Sequence, residues 1–290
     1  MTRVQLLHVR SVVIGLVFAL ALVPSLAAAA TTSLEVSGWL PYWRVASSTM
    51  SAQAHLDSLK EINPFGYTVK SDGSLNDAMG LTDPKWQNLF FFFLAKKIRV
   101  VPTVTWGSGE AIHSILSNKQ KRLAHINHIQ QAVRTNGFDG IDINYEGKLA
   151  ETKPYFSLFL KELYAAMGNK WVMCTIEART PAEDRFTVIP TNLEFANDFK
   201  EINKYCDRVR IMAYDQSSID LKLEKLHEKE PYAAVADIRW VEKVITLAAK
   251  DISKKKLVIG VPTYGYAYDL LPQPDGTYVY SKLWSFNPSY

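Results

Sequence analysis

Between Phe138 and Glu146 the chain reads F-D-G-I-D-I-N-Y-E, which puts Asp142, Asn144 and Glu146 at every second position. On a β-strand those three side chains share one face, while Ile141 and Ile143 point the other way. Burying polar groups in a sheet costs roughly several kcal/mol each unless they are paired. A polar row backed by isoleucines is therefore a poor folding device, and it reads as an active site. Asp139 has the opposite parity and reads as structural.

The elements that must position this row follow from the pattern around it. Apolar strand-like runs recur at 36–43, 62–69, 98–106, 138–146, 171–178, 209–214 and 257–263. Helix-like stretches separate them, an alternation that predicts βα units around a parallel sheet. Asn118 can cap a helix running to Asn136, with Gly137 as its stop, and Pro154 sits in the first turn of another that Gly168 ends. Asp237 can cap a third through Trp240, Val241, Val244, Ile245 and Leu247, a spacing suited to lying on a sheet. Seven such strands, with no Gly-rich phosphate turn after the first, predict an α/β fold of the (β/α)₈ TIM barrel type. An eighth strand is not evident before Tyr290, and the expectation is a barrel incomplete at its C-terminus, either a fragment lacking the closing strand, which is the favoured reading, or an open barrel.

In such a barrel chemistry collects at the C-terminal ends of the strands. Those ends carry Trp43 after the first strand, Trp106 after the third, Glu177 and Arg179 after the fifth, Tyr214 and Asp215 after the sixth, and Tyr264 after the seventh. Indole and phenol rings offer flat apolar faces to sugar rings and polar edges to hydroxyls. A carbohydrate site is the expectation. Trp43 and Trp106 are stacking candidates by position, and Glu177 is either a solvated carboxylate at a strand end or a sugar contact or second carboxylate beside Glu146.

Composition bounds the partners. Residues 1–30 combine Arg3 and Arg10, an apolar run and Ala28-Ala29-Ala30, the layout of a secretory signal peptide. Residues 31–290 then form one domain, secreted or held in the cell envelope. An uncleaved signal would instead anchor it to a membrane. The net charge of +4 is partly the signal's own and does not suggest nucleic acid. Cys174 and Cys206 could pair in an oxidising compartment, but two isolated cysteines are no disulfide framework, and they read as buried reduced thiols. His113, His125 and His128 lack the carboxylate or cysteine pattern of a metal site, and no cofactor is called for.

Three motifs carry a resemblance. Asp139 to Glu146, D-G-I-D-I-N-Y-E, is similar to the D-G-x-D-x-D-x-E signature of glycoside hydrolase family 18, the chitinase-like enzymes. Met212-Ala213-Tyr214-Asp215 resembles that family's M-x-Y-D, and 260–265, G-V-P-T-Y-G, resembles its G-x-P-x-Y-G. The resemblance implies a bacterial secreted hydrolase acting on a polysaccharide or oligosaccharide that contains N-acetylglucosamine. It implies substrate-assisted, retaining hydrolysis, with Glu146 as general acid and then base. Asn144 would orient the substrate's acetamide, with Asp142 as its buried partner. Tyr214 would donate to the acetamide carbonyl, and Asp215 would touch the sugar.

Asn144 departs from the family's aspartate. A neutral amide accepts the acetamide N–H less strongly and does less to raise the glutamate's pKa. The difference between a charge-assisted and a neutral hydrogen bond corresponds to roughly tenfold in rate. Two rivals follow: a chitinase-like lectin that binds glycan without turnover, and a hydrolase using Glu146 and Glu177 as a carboxylate pair.

Overall fold

The computed structural model describes residues 34–286. The expected signal segment, 1–30, lies outside the described residues.

All seven expected strands form. They are β1 (Ser37–Pro41), β2 (Glu61–Val69), β3 (Thr103–Trp106), β4 (Gly140–Tyr145), β5 (Trp171–Glu177), β6 (Arg208–Met212) and β7 (Leu257–Ile259). They pair in chain order, each neighbour parallel to the next. Short strands Leu75–Asp77 and Arg99–Val100 pair with β2, and an antiparallel hairpin, β8 (Gly265–Pro272) and β9 (Tyr278–Phe286), makes a separate sheet. Among the described residues no eighth parallel strand joins β7 to β1. The sheet is nevertheless strongly curled, because Arg210 on β6 hydrogen-bonds Ser37 on β1 and Asn63 on β2. The result is a TIM-type barrel left incomplete on one side.

Helices cover the outer face, where local sequence sets their ends. Helix α1 spans Val45–Ala54 and α2 spans Pro84–Ala95, whose Phe90 and Phe93 are buried. Helix α3 (Lys119–Asn136) starts at Asn118, which accepts the Lys121 N–H at 3.1 Å, and stops at Gly137 in the left-handed region. Helix α4 (Lys153–Met167) has Pro154 in its first turn and ends at Gly168. Helices α5 (Phe199–Tyr205) and α6 (Ile238–Ala248) begin at Asp198 and Asp237, each accepting N–H groups of its own first turn.

Strand β4 is buried on both faces. Outward, Ile141, Ile143 and Tyr145 are buried in the apolar core, where the Tyr145 ring meets Phe156 and Phe159 of α4. Each isoleucine contributes about 1.5–3 kcal/mol by leaving water. This apolar face pins the strand's register, and a slip of one residue would turn the polar row into the helices.

The cysteines correct the sequence reading. Cys174 and Cys206 are fully buried but form a disulfide, with Cα atoms 5.9 Å apart. Cys174 faces outward on β5, and Cys206 caps the C-terminus of α5, so the helix that packs beside β5 delivers the partner. Closing a loop of this size contributes about 3–4 kcal/mol through the unfolded chain.

Candidate active site

Inside the curled sheet the inward residues form two layers. In the lower one, Asp142 accepts hydrogen bonds from Thr103 and Thr175, both at 2.8 Å, and from Arg210 Nη1 at 3.1 Å. Arg210 also donates to Asn63 at 2.6 Å and Ser37 at 3.1 Å, and its guanidinium lies 4.4 Å from the Trp39 ring centroid. Asn63 donates in turn to Glu61, which pairs with Arg99 at 3.0 Å. Two buried carboxylates thus meet two guanidinium groups, and the charges cancel.

The upper layer is differently built. Asn144, 2% exposed, donates Nδ2 to Glu146 Oε1 at 2.8 Å. Its Oδ1 is buried and has no hydrogen-bond partner among the described residues. Glu146 stands just past the end of β4, where Gly147, with φ +63°, reverses the chain. Burial raises the Glu146 carboxyl above its ordinary value, opposed by the Asn144 N–H, supported by the charge of Glu177 and opposed again by Lys148. Such a group keeps its proton to a higher pH than a solvated glutamate, as a general acid requires.

Glu177 closes β5 beside it. The Gly147 N–H donates to Oε1 and Asn197 Nδ2 to Oε2, both at 2.9 Å, while Lys148 lies 3.5 Å from Oε2. Burial pushes the Glu177 carboxyl up, but Lys148 and the N–H donors outweigh it and hold the carboxyl below its ordinary value. Both of its oxygens are engaged.

Tyr214 and Asp215 follow β6. A Cβ at position 260 would lie 2.8 Å from the Tyr214 ring and 2.9 Å from the Ile211 carbonyl oxygen, so only glycine lets β7 pass this close. Burial, and then the Glu146 charge, push the Tyr214 hydroxyl well above its ordinary value, so it stays a proton donor. Asp215, at φ +55°, receives the hydroxyls of Tyr264 at 2.7 Å and Tyr266 at 2.6 Å. With Trp43, 61% exposed against Phe65, these residues wall a cavity of about 1110 Å³ that contains Asn144, Glu146 and Glu177.

Three expected residues sit elsewhere. Trp106 points outward with Val104, against His125 and Tyr145, because its parity on β3 is opposite to that of Thr103. It is a packing residue. Arg179 turns away from the cavity, held between the Phe195 and Phe199 rings and donating to the Asn197 carbonyl at 2.7 Å. Asp142 belongs to Arg210 and the two threonines, with no hydrogen bond to Asn144.

The sequence reading missed Arg210, Lys148 and Tyr266. Arg210 carried a signal, a lone charge in the apolar run V-R-I-M. Tyr266 follows Tyr264 at period 2, a weaker sign. Nothing in the sequence marks Lys148.

With this geometry in hand, comparison with known proteins gives a consistent answer. The pattern of the glycosyl hydrolases family 18 matches residues 93–287. The chain is 25% identical over 164 residues to the uncharacterized glycosylase YvbX of Bacillus subtilis, covering 56% of this chain and 44% of that protein. It spans about half the length, or less, of the curated relatives it matches. Among solved structures, the spore cortex-lytic enzyme SleL of Bacillus cereus superposes with a TM-score of 0.65 at 18% identity, over 86% of this chain and 55% of that one. A chitinase of Chromobacterium violaceum gives 0.62 at 18%, over 79% and 69%. At those identities the two structures speak for the fold. The family match covers the fourth-strand row, M-x-Y-D and G-x-P-x-Y-G together, and the chain belongs to glycosyl hydrolase family 18.

Proposed function

We propose that this chain is an exported glycosidase that cleaves β-linked N-acetylhexosamine glycans, chitin-like or peptidoglycan-like, with retention of configuration. The Glu146 carboxyl gives its proton to the glycosidic oxygen as the bond to the anomeric carbon breaks. The substrate's own acetamide oxygen forms the new bond to that carbon, giving an oxazolinium. Water then attacks the same carbon, Glu146 takes its proton, and the acetamide is released.

The observation that carries this reading is the buried, unpartnered Oδ1 of Asn144, two residues before the acid. A buried acceptor left unpaired costs about 1–3 kcal/mol. An acetamide N–H bound there relieves that cost when substrate is in place. The Tyr214 hydroxyl, beside Glu146 and held protonated, suits the acetamide carbonyl. Engagement of both Glu177 oxygens speaks against a Glu146–Glu177 carboxylate pair. The buried disulfide fits an oxidising compartment and supports export.

One observation favours the lectin reading: Asn144 donates an N–H to Glu146, which stabilises the carboxylate and opposes its role as acid. Product release from an N-acetylglucosamine oligomer separates the two. The glycosidase reading expects release that Glu146→Gln abolishes; tight oligomer binding without release would leave the lectin.

A further inference from the structure

Lys148 is a cation in an unusual place. It lies two residues beyond the acid, and its side chain is 1% exposed. The ammonium donates to the Tyr145 carbonyl oxygen, stands 3.5 Å from Glu177 Oε2, and lies 4.9 Å from the Phe156 ring centroid. A buried ammonium is destabilising unless paired, and a methionine would fill the space beside Phe156 without that cost. Packing does not explain the choice of lysine.

Its partner has two other contacts. Glu177 takes the N–H of Gly147, the residue directly after Glu146, and the amide of Asn197 from the loop that follows β5. One carboxylate thus ties the end of β4 to β5 and to that loop, and Lys148 neutralises it. We propose that Lys148 and Glu177 are positioning residues for Glu146: the pair locks the turn that follows the acid and holds two opposed charges against it. This rests on reading Glu146 as the acid.

The groups that face Glu146 are few. Asn144 comes from its own strand, Lys148 from the turn, Glu177 from β5 and Tyr214 from the end of β6. Asp142 and Arg210 lie one layer deeper, paired with each other, and Asp215 stands beyond Tyr214 with its two tyrosines. Of the two positioning residues, Glu177 favours the protonated acid and Lys148 disfavours it. Removing one should therefore move the acid's titration opposite to removing the other. A merely structural pair would loosen the turn either way without that opposition.

The test uses Glu177→Gln, Lys148→Met and the double variant of the full chain. Two readouts are taken: the pH dependence of hydrolysis of an aryl glycoside of N-acetylglucosamine, and a ¹³C NMR titration of glutamate carboxyls, with Glu146→Gln identifying the resonance. The midpoint should fall in Glu177→Gln, rise in Lys148→Met, and return toward the parent in the double variant. Each single variant should lose roughly tenfold in kcat from the loosened turn. Lys148→Arg, which keeps the charge, should leave the midpoint in place. If Lys148→Met does not fold, Glu177→Gln decides alone, since glutamine keeps the side chain's shape and one acceptor oxygen for the Gly147 N–H while removing the charge. An unmoved midpoint, or a shift of the same sign in both single variants, would overturn the proposal. If no glycoside is hydrolysed at any pH, the glycosidase reading fails, while the NMR titration still decides the positioning.

Discussion

Asp142 and Asn144 are neighbours on one face of one strand, both buried, and their surroundings are opposite in kind. Asp142 has hydrogen bonds from two threonines and an arginine and nothing left to offer. Asn144, one step up, has a donor engaged with Glu146 and an acceptor with no partner. A saturated polar cluster fixes a structure, since each member is satisfied before any ligand arrives. An unsaturated one is stabilised only when something binds. Polar parity alone identifies the face, and the state of hydrogen bonding on that face separates scaffold from site.

The widest separation between the two layers is expected at Glu146. Glu146→Gln should lower hydrolysis of an N-acetylglucosamine oligomer by roughly a thousandfold while leaving the thermal midpoint near the parent's. A large loss of stability would show that the upper layer is scaffold after all.

Next in size is the lower layer. Arg210→Leu strands the Asp142 carboxylate in the interior and should cost about 3–5 kcal/mol in urea unfolding. Adding Asp142→Leu should recover part of it. A negligible cost for Arg210→Leu would mean that the lower cluster does not hold the curl of the sheet.

The outward face of the same strand supplies a third case. His125 bridges the Gly73 carbonyl and the Tyr145 hydroxyl, and burial pushes its pKa down from 6.5 to about 4. Between those values the unfolded chain binds a proton that the folded chain does not. Stability is therefore fully present above about pH 6.5 and declines as pH falls toward 4, by about 3 kcal/mol. His125→Asn should flatten the slope of unfolding free energy between pH 6.5 and 5. An unchanged slope would show that this histidine is not buried neutral.

The smallest change sharpens the comparison most finely. Asn144→Asp removes the N–H donated to Glu146 and adds a like charge beside it, so the acid should hold its proton to higher pH. Turnover should rise roughly tenfold, with the basic limb of the pH profile moved upward. A fall in rate would mean that the amide is the better group in this setting.

How much of this was legible in the sequence depends on the range of the interaction. Asn118, Pro154, Gly168 and Asp237 mark their helix ends through contacts within a turn, and the strands announce themselves by apolar runs. The row on β4 was legible because strand parity is local. Trp106 was misplaced because its parity on β3 depends on where that strand starts: Val101 and Pro102 interrupt the expected run from 98 to 106. The disulfide, the Arg210 cluster and the Lys148–Glu177 pair join residues 29 to 173 positions apart, or depend on one reversed turn, and no local pattern encodes them.

The central claim is that the substrate's own acetamide does the nucleophile's work beside Glu146. Its most direct measurement compares, in one preparation, the cleavage rate of an N-acetylglucosamine oligomer with that of a glucose-type oligomer of the same length and linkage. The account expects cleavage of the acetylated oligomer alone, lost on Glu146→Gln. Equal cleavage of both oligomers would contradict it.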